Sequence, residues 1–81
     1  MVELYLSSTC PFCIKVARAA EAMGLKEDED YRIIDAGPGT AGRKKVIDTG
    51  AKSMVPFLLD GDHWMYESDD IIDYLKDKFS S

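Results

Sequence analysis

The first half of the chain changes from a strand pattern to a helix pattern and back to a strand pattern. Residues 2–6 are mostly apolar and rich in β-formers, and small polar residues follow them, which predicts a first strand. From Pro11 onward the apolar positions repeat with helical spacing, which predicts a helix that Gly24 can end. Residues 31–34 predict a short second strand after an acidic turn. The apolar positions of the helix are Cys13, Val16, Ala17, Ala20 and Met23.

The middle of the chain predicts a second helix followed by a hairpin. A loop rich in glycine and proline precedes a modest helix over residues 41–48, and Gly50 is placed to serve as its C′ residue. Residues 55–59 and 63–66 predict a third and a fourth strand. Because the turn signal Asp60-Gly61 lies between them, these two strands should pair antiparallel.

A last helix completes the pattern. Ser68 is predicted to cap it, and the two aspartates that follow suit its positive end. The order β-α-β-α-β-β-α predicts an α/β domain with one four-stranded mixed sheet, in which the first two strands run parallel and the helices pack on the sheet. With 81 residues and no repeats or linkers, the chain is expected to form a single domain over residues 1–81. The apolar positions of the last helix are Ile71, Ile72, Leu75 and Phe79.

Composition and charge exclude several classes of function. The apolar share of 46% and the charged share of 31% are typical of a soluble globular protein. A net charge of −5 argues against general nucleic-acid binding. The first residues lack the regions of a signal peptide, and no apolar stretch approaches the roughly 20 residues of a membrane span. We therefore expect a cytoplasmic monomer without membrane or nucleic-acid partners.

The run Cys10-Pro11-Phe12-Cys13 carries the clearest chemical signal. Proline is favoured at the first helical position, so Cys10 should be the N-cap residue of the first helix. A thiolate there can accept hydrogen bonds from the backbone N–H groups of Phe12 and Cys13, and the helix dipole favours its negative charge. Both effects should lower the pKa of Cys10. Cys13, one turn along, should be more buried and more protonated, so Cys10 can attack a disulfide and Cys13 can resolve the product.

Other interpretations of the cysteine pair stay open at this point. A disulfide across two residues closes too small a loop to stabilise the fold. A zinc site within one chain needs four ligands, whereas the chain has two cysteines and one histidine, His63, on a distant strand where it is expected to lie at the surface. No metal ligand is therefore assigned. Zinc or an iron–sulfur cluster shared between two chains, or an inert pair of cysteines, remains an alternative.

Two further segments allow both a structural and a functional interpretation. Proline in Val55-Pro56 fits the entry of an edge strand, and it also fits a cis bend that turns the Val55 backbone toward an extended, peptide-like ligand. A capped helix with an acidic first turn accounts for the run Glu67-Ser68-Asp69 without a ligand. The same residues could hold a ligand whose ammonium group pairs with the carboxylates and whose carboxylate binds the Ser68 hydroxyl and N–H.

Three separated segments together resemble one family. Cys10-Pro11-Phe12-Cys13 after a first strand is similar to the active site of glutaredoxins, and Met54-Val55-Pro56 is similar to their Thr-Val-Pro segment with its cis proline. Residues 66–75, Tyr-Glu-Ser-Asp-Asp-Ile-Ile-Asp-Tyr-Leu, resemble a run in the N-terminal domains of glutathione S-transferases. The resemblance covers essentially the whole chain, and it implies a thioredoxin-like fold with a glutathione site.

The resemblance also implies a role for individual residues. Cys10 would carry a mixed disulfide with glutathione, and the Val55 backbone would pair with the cysteinyl unit of glutathione beside cis-Pro56. The γ-glutamyl end would be held by Glu67, Ser68 and Asp69. No bound cofactor is implied, because glutathione acts as a co-substrate.

Some positions depart from the family pattern. Ser7-Ser8-Thr9 stands where many glutaredoxins have a basic residue that helps bind the glycine carboxylate of glutathione, and Lys52 is our candidate replacement. The Gly-Gly pair common before the last helix is replaced by Tyr66-Glu67. Phe12 is a large apolar side chain beside the reactive sulfur, so it is expected to form part of the substrate platform. Conjugation of glutathione to electrophiles is not expected, since transferases use a second, helical domain for it.

The sequence therefore predicts a glutathione-dependent thiol–disulfide oxidoreductase whose partners are glutathione and disulfide-bonded or glutathionylated proteins. A glutaredoxin-like redoxin recharged by thioredoxin reductase is the closest alternative: the missing basic residue before Cys10 favours it, whereas Glu67-Ser68 favours glutathione. A carrier of an iron–sulfur cluster ligated by glutathione is a non-enzymatic alternative, and a binding module with incidental thiols is another.

Overall fold

All seven elements predicted from the sequence are present, in the predicted order, in the computed structural model, which describes residues 1–79. This is the βαβαββα arrangement of the thioredoxin-like fold, so the predicted fold class is confirmed. Among the described residues, no helix combines the length and the apolar character needed to cross a membrane. The elements are β1 (Val2–Leu6), α1 (Pro11–Ala22), β2 (Tyr31–Asp35), α2 (Ala41–Gly50), β3 (Phe57–Asp60), β4 (His63–Met65) and α3 (Ser68–Phe79).

The four strands form one mixed sheet in the order β2-β1-β3-β4. Strands β1 and β2 are parallel, with Val2 opposite Tyr31, and β1 is antiparallel to β3. Strands β3 and β4 form the expected antiparallel hairpin, with Leu59 opposite Trp64. This order puts β1 between β2 and β3. The loop that follows β1 and carries Cys10 therefore lies between the loop that follows β2 and the loop that precedes β3.

The core is divided between the two faces of the sheet. On one face α1 and α3 pack against each other and against the strands, through buried side chains such as Val16, Leu58 and Leu75. On the other face α2 covers a smaller, aromatic cluster of Tyr5, Ala36, Val46 and Phe57. Since apolar burial is the main favourable term in folding, the two clusters hold the ends of α1, α2 and α3 in fixed positions around the cysteines.

Several element boundaries differ from the prediction. Strand β3 begins at Phe57, because the cis peptide bond between Val55 and Pro56 turns the chain just before the strand. Strand β4 ends at Met65. Helix α3 has Ser68 as its first helical residue, and the carbonyl of Glu67 accepts the first helical hydrogen bond, from Ile71 N–H at 3.0 Å. The cap position therefore belongs to Glu67, and the predicted capping role of Ser68 is wrong.

The end of α2 also differs from the prediction. Gly50 is the last helical residue, and Ala51, with φ of 70°, takes the left-handed conformation that was assigned to Gly50. The reason is a close approach: a Cβ on Gly50 would collide with the Tyr66 hydroxyl, which lies against this end of the helix. Glycine is therefore needed for space at residue 50, while alanine accepts the backbone strain at residue 51.

This arrangement predicts opposite effects for two substitutions one residue apart. Ala51→Gly should raise the free energy of unfolding by about 0.5–1 kcal/mol, since glycine adopts the left-handed conformation without strain. Gly50→Ala should lower it by about 1–3 kcal/mol, because Tyr66 must move to admit the new methyl group. Urea unfolding of the two variants and the wild type measures both changes. An unchanged unfolding midpoint in Gly50→Ala would contradict the close packing of Tyr66.

Candidate active site

The two cysteines lie where β1 ends and α1 begins. Cys10 is the N-cap residue of α1, with Pro11 in the first helical turn as predicted, and its side chain is partly exposed. Cys13 is only 1% exposed, and its Sγ accepts a hydrogen bond from the backbone N–H of Ser7 at 3.3 Å. Neither cysteine is in a disulfide. One thiol is therefore open to a partner, while the other is covered by the fold.

The environment of Cys10 favours its thiolate. Burial raises the pKa of Cys10, but it is outweighed by the backbone N–H and thiol of Cys13, the backbone N–H of Phe12 and the positive charge of Arg43, so the pKa lies below its ordinary value of 9.0. As a neutral thiol, Cys10 makes no capping hydrogen bond to the helix. Its Sγ points instead toward the carbonyl oxygen of Val55, 3.9 Å away. The predicted hydrogen bonds from the N–H groups of Phe12 and Cys13 therefore favour the Cys10 thiolate, whereas the thiol directs its proton toward the Val55 carbonyl.

The environment of Cys13 favours its thiol. Burial is the main reason that the pKa of Cys13 is raised from 9.0 to about 11, and the neighbouring Cys10 raises it further, against opposing contributions from the Ser7 N–H and Arg43. The two sulfurs are therefore shifted in opposite directions. Cys10 is the one that ionises first and can act as a nucleophile, while Cys13 keeps a proton until a partner or a charge draws it away.

Arg43 supplies a positive charge to this site, and sequence reasoning missed it. It lies in the first turn of α2, where its Nε donates to the carbonyl of Ala36 at 2.8 Å and its Nη1 donates to the carbonyl and hydroxyl of Ser53 at 3.3 and 3.1 Å. Its charge lowers the pKa of both cysteines. The available sequence signal is its position three residues after Thr40, the N-cap residue of α2, which puts Arg43 in the first turn of the helix.

Tyr66 fixes the loop that leads into cis-Pro56. Its hydroxyl donates to the carbonyl of Lys52 at 2.8 Å and accepts from the backbone N–H of Lys52 at 3.1 Å. Tyr66, one of the two residues that stand where glutaredoxins commonly have a Gly-Gly pair, therefore has a structural role. The side chain of Lys52 lies with its Nζ 6.0 Å from the Tyr66 ring centre, and Lys52 does not line the groove between Phe12, Val55 and Glu67.

A groove begins beside Cys10 and runs between α1, the cis-proline loop and the start of α3. Its volume is about 260 Å³. Phe12 and Met54 stand on its walls with 60% and 46% of their surfaces exposed, which makes an apolar rim near the Cys10 sulfur. The groove brings together six residues that the sequence analysis singled out: Phe12, Val55, Pro56, Glu67, Ser68 and Asp69.

Two further residues line the groove and were not predicted, namely Lys15 and Met54. Lys15 follows Phe12 by three positions, so both lie on the same face of α1, and this spacing is the signal that could have identified it. The ammonium group of Lys15 forms an ion pair with the Asp69 carboxylate in the first turn of α3. The groove therefore has an apolar end at Phe12 and a charged end at Glu67, Asp69 and Lys15.

Nothing in the described part of the chain gathers the ligands of a metal site. Within residues 1–79, no group of three or more His, Cys, Asp or Glu side chains could hold a metal ion. His63 stacks on the ring of Tyr74, with ring centres 4.9 Å apart, on the hairpin side of the molecule.

The sequence matches a known family over nearly its whole length. The family described as "Glutathione S-transferase, N-terminal domain" matches residues 4–81. No curated protein sequence matches the chain at a significant level.

Solved structures share the fold. A diazinon-metabolizing glutathione S-transferase from the silkworm Bombyx mori superimposes with a TM-score of 0.79 at 22% identity, over 99% of this chain and 39% of its own. A glutathione transferase homologue from Sulfitobacter, with bound glutathione, gives 0.74 at 25% identity, over 96% of this chain and 36% of its own. A thioredoxin-like protein gives 0.72 at 17% identity, over 95% of this chain and 96% of its own. The chain thus spans little more than a third of the length of the two transferases.

Proposed function

The chain belongs to the family of glutathione S-transferase N-terminal domains, and from this premise we propose that it is a glutathione-dependent thiol–disulfide oxidoreductase. The observation that carries the proposal is the position of the Cys10 sulfur, which has a lowered pKa and lies 3.9 Å from the Val55 carbonyl at the edge of the groove. A second thiol directly behind it supports disulfide exchange, for which a pair of sulfurs with opposite pKa shifts is suited.

With glutathionylated substrates, one sulfur of the protein is sufficient. The Cys10 thiolate attacks the glutathione sulfur of the mixed disulfide, that S–S bond breaks, and the substrate cysteine leaves as a thiolate that takes a proton from water. Cys10 is then joined to glutathione. A second glutathione thiolate attacks the glutathione sulfur of this intermediate, which releases oxidised glutathione and restores the Cys10 thiolate. Each turnover therefore consumes one free glutathione, and the other half of the oxidised glutathione comes from the substrate.

With protein disulfides, the second sulfur takes part. Cys10 attacks one sulfur of the substrate and forms a mixed disulfide with the protein. Cys13 then loses its proton and attacks the Cys10 sulfur, so the substrate leaves as a dithiol and Cys10 and Cys13 become a disulfide. Because the pKa of Cys13 is about 11, this proton has to pass to the departing thiolate or to water during the step. Two glutathione molecules reduce the disulfide afterwards.

The groove supplies a binding site of suitable chemistry for glutathione. The Val55 backbone beside cis-Pro56 offers peptide hydrogen bonds to the cysteinyl unit, which brings its sulfur next to Cys10. Glu67 and Asp69 can pair with the ammonium group of the γ-glutamyl end, and Ser68 can hold its carboxylate. The Sulfitobacter homologue, which contains bound glutathione, supports this use of the fold. We assign no part of glutathione to Lys52, since its side chain lies over Tyr66.

The proposal is tested by the choice of reductant. We expect the protein to catalyse NADPH oxidation when it is mixed with glutathione, glutathione reductase and the mixed disulfide of glutathione with a cysteine peptide. Oxidation above the rate without protein, and its loss in Cys10→Ser, would support the proposal. No activity with glutathione, together with reduction of the oxidised protein by NADPH and thioredoxin reductase, would overturn it. The protein would then be a glutaredoxin-like redoxin that thioredoxin reductase recharges.

A further inference from the structure

The ion pair between Lys15 and Asp69 closes the charged end of the groove. It joins the second turn of α1 to the first turn of α3, and both residues line the groove next to Glu67 and Ser68. The side chains of Lys15 and Asp69 are 50% and 80% exposed. Ion pairs with this exposure contribute little to stability, so a ligand can exchange the pair for its own charges at small cost.

The charges at this end decide which ligands fit. Glu67 and Asp69 alone would offer two negative charges and would attract any cation while repelling a carboxylate. Lys15 adds a positive charge within contact distance of Asp69. The three together match a head group with an ammonium and a carboxylate on one carbon, because the ammonium can replace Lys15 at Asp69 and the carboxylate can then pair with the released lysine.

We propose that Lys15 is a specificity-determining residue that recognises the α-carboxylate of a γ-glutamyl head group by giving up its ion pair with Asp69. This inference rests on the proposed function, since it assigns the head group of glutathione to the charged end of the groove. In the free protein Lys15 and Asp69 pair with each other. In the complex Lys15 pairs with the carboxylate, and Asp69 with the ammonium group, on the α-carbon of the head group. Recognition of the amine belongs to Glu67 and Asp69, and recognition of the carboxylate belongs to Lys15 and Ser68.

The test separates the two charges of the head group. In a Cys13→Ser background, which stops at the mixed disulfide, the rate constant for attack by Cys10 is measured by mass spectrometry with three symmetrical disulfides. These are oxidised glutathione, the disulfide of γ-aminobutyryl-cysteinylglycine, which lacks the α-carboxylate, and the disulfide of glutaryl-cysteinylglycine, which lacks the amine. A small neutral disulfide, hydroxyethyl disulfide, reports the intrinsic reactivity of Cys10. The added substitutions are Lys15→Met, Lys15→Arg and, as a charge-matched control on α2, Lys45→Met.

We expect oxidised glutathione to react about tenfold faster than the compound without the carboxylate, a ratio that fits one exposed charge-assisted contact. Lys15→Met should reduce this ratio to less than about threefold, while Lys15→Arg and Lys45→Met keep it. The preference over the compound without the amine should survive in Lys15→Met, and the rate with hydroxyethyl disulfide should be the same in all variants. That last result shows that the substitution has not changed the thiol itself.

Two outcomes would overturn the inference, and a third would overturn its premise. An undiminished ratio in Lys15→Met means that another group recognises the carboxylate, and a ratio near one in the parent means that none does. In both cases oxidised glutathione would still react faster than hydroxyethyl disulfide, so the proposed function would stand. If oxidised glutathione reacted no faster than hydroxyethyl disulfide in the parent, the groove would not be a glutathione site at all.

Discussion

Replacing Cys10 by serine is expected to abolish the reduction of both glutathionylated cysteines and protein disulfides, whereas Cys13→Ser should abolish only the second. The rate with Cys10→Ser should fall at least about a thousandfold, to the uncatalysed level, because a serine hydroxyl is not ionised near neutral pH and cannot replace the thiolate as nucleophile. In Cys13→Ser the nucleophile and its helix N-terminus remain, so a small glutathione mixed disulfide should be reduced at a rate within about threefold of the wild type. Coupled assays with the two substrate types measure both effects.

Serine is a close steric match for each cysteine, which makes the comparison clean. The hydroxyl of a serine at residue 13 can still accept the hydrogen bond from Ser7 N–H, so the fold should be retained. Urea unfolding of both variants verifies this. If Cys13→Ser lost activity with the small mixed disulfide as well, the route that uses one sulfur would be wrong, and every turnover would pass through the disulfide between the two cysteines.

The division of labour between the cysteines was predictable because it depends on local structure. Proline at the first helical position places Cys10 at the N-cap, and the helix period then places Cys13 on the buried face of α1. The order of the elements was predictable for a similar reason, since each strand and helix shows its own period in the sequence. The cis state of Val55-Pro56 followed only from the family resemblance, because most X–Pro bonds are trans.

The features that sequence reasoning missed depend on contacts between distant elements. Lys15 is an ordinary exposed lysine until α3 brings Asp69 to it from 54 residues away. Arg43 belongs to the basic run Arg43-Lys44-Lys45, which has no local feature that separates it from solvated surface, and only the packing of α2 brings its charge to the cysteines. Gly50 was assigned a backbone role, whereas its actual role is to leave space for Tyr66. Local patterns carry no information about such pairings.

The alkylation of the reduced protein by iodoacetamide should be selective for Cys10 and should follow the ionisation of its thiol. The rate should rise with pH as the thiolate forms and reach half its maximum below pH 9.0, because the pKa of Cys10 is lowered by its neighbours. Cys13, with a pKa of about 11, has only about one part in ten thousand as thiolate at pH 7 and is also buried, so it should stay unmodified. Mass spectrometry of a peptide digest, at several pH values, gives both rates.

The positive charge of Arg43 is expected to set part of the pH dependence of Cys10 alkylation. Removing its positive charge in Arg43→Met withdraws a favourable interaction from the thiolate but not from the thiol, so the midpoint for Cys10 should move to higher pH. Arg43→Lys retains the charge and should lie between Arg43→Met and the wild type. Lys44→Met removes the same charge from the neighbouring, exposed position on α2 and serves as the matched control.

Because Arg43 also holds the carbonyls of Ala36 and Ser53, a change in the profile could in principle come from movement of the loops instead of from the charge. The salt dependence separates the two causes. A shift caused by charge should shrink at high ionic strength in the wild type, where added salt screens Arg43, so that the wild-type profile approaches that of Arg43→Met. A midpoint that is the same in Arg43→Met as in Lys44→Met would show that the arginine holds the loops and leaves the sulfur unaffected. The low pKa of Cys10 would then come from the N-terminus of α1 and the adjacent thiol alone.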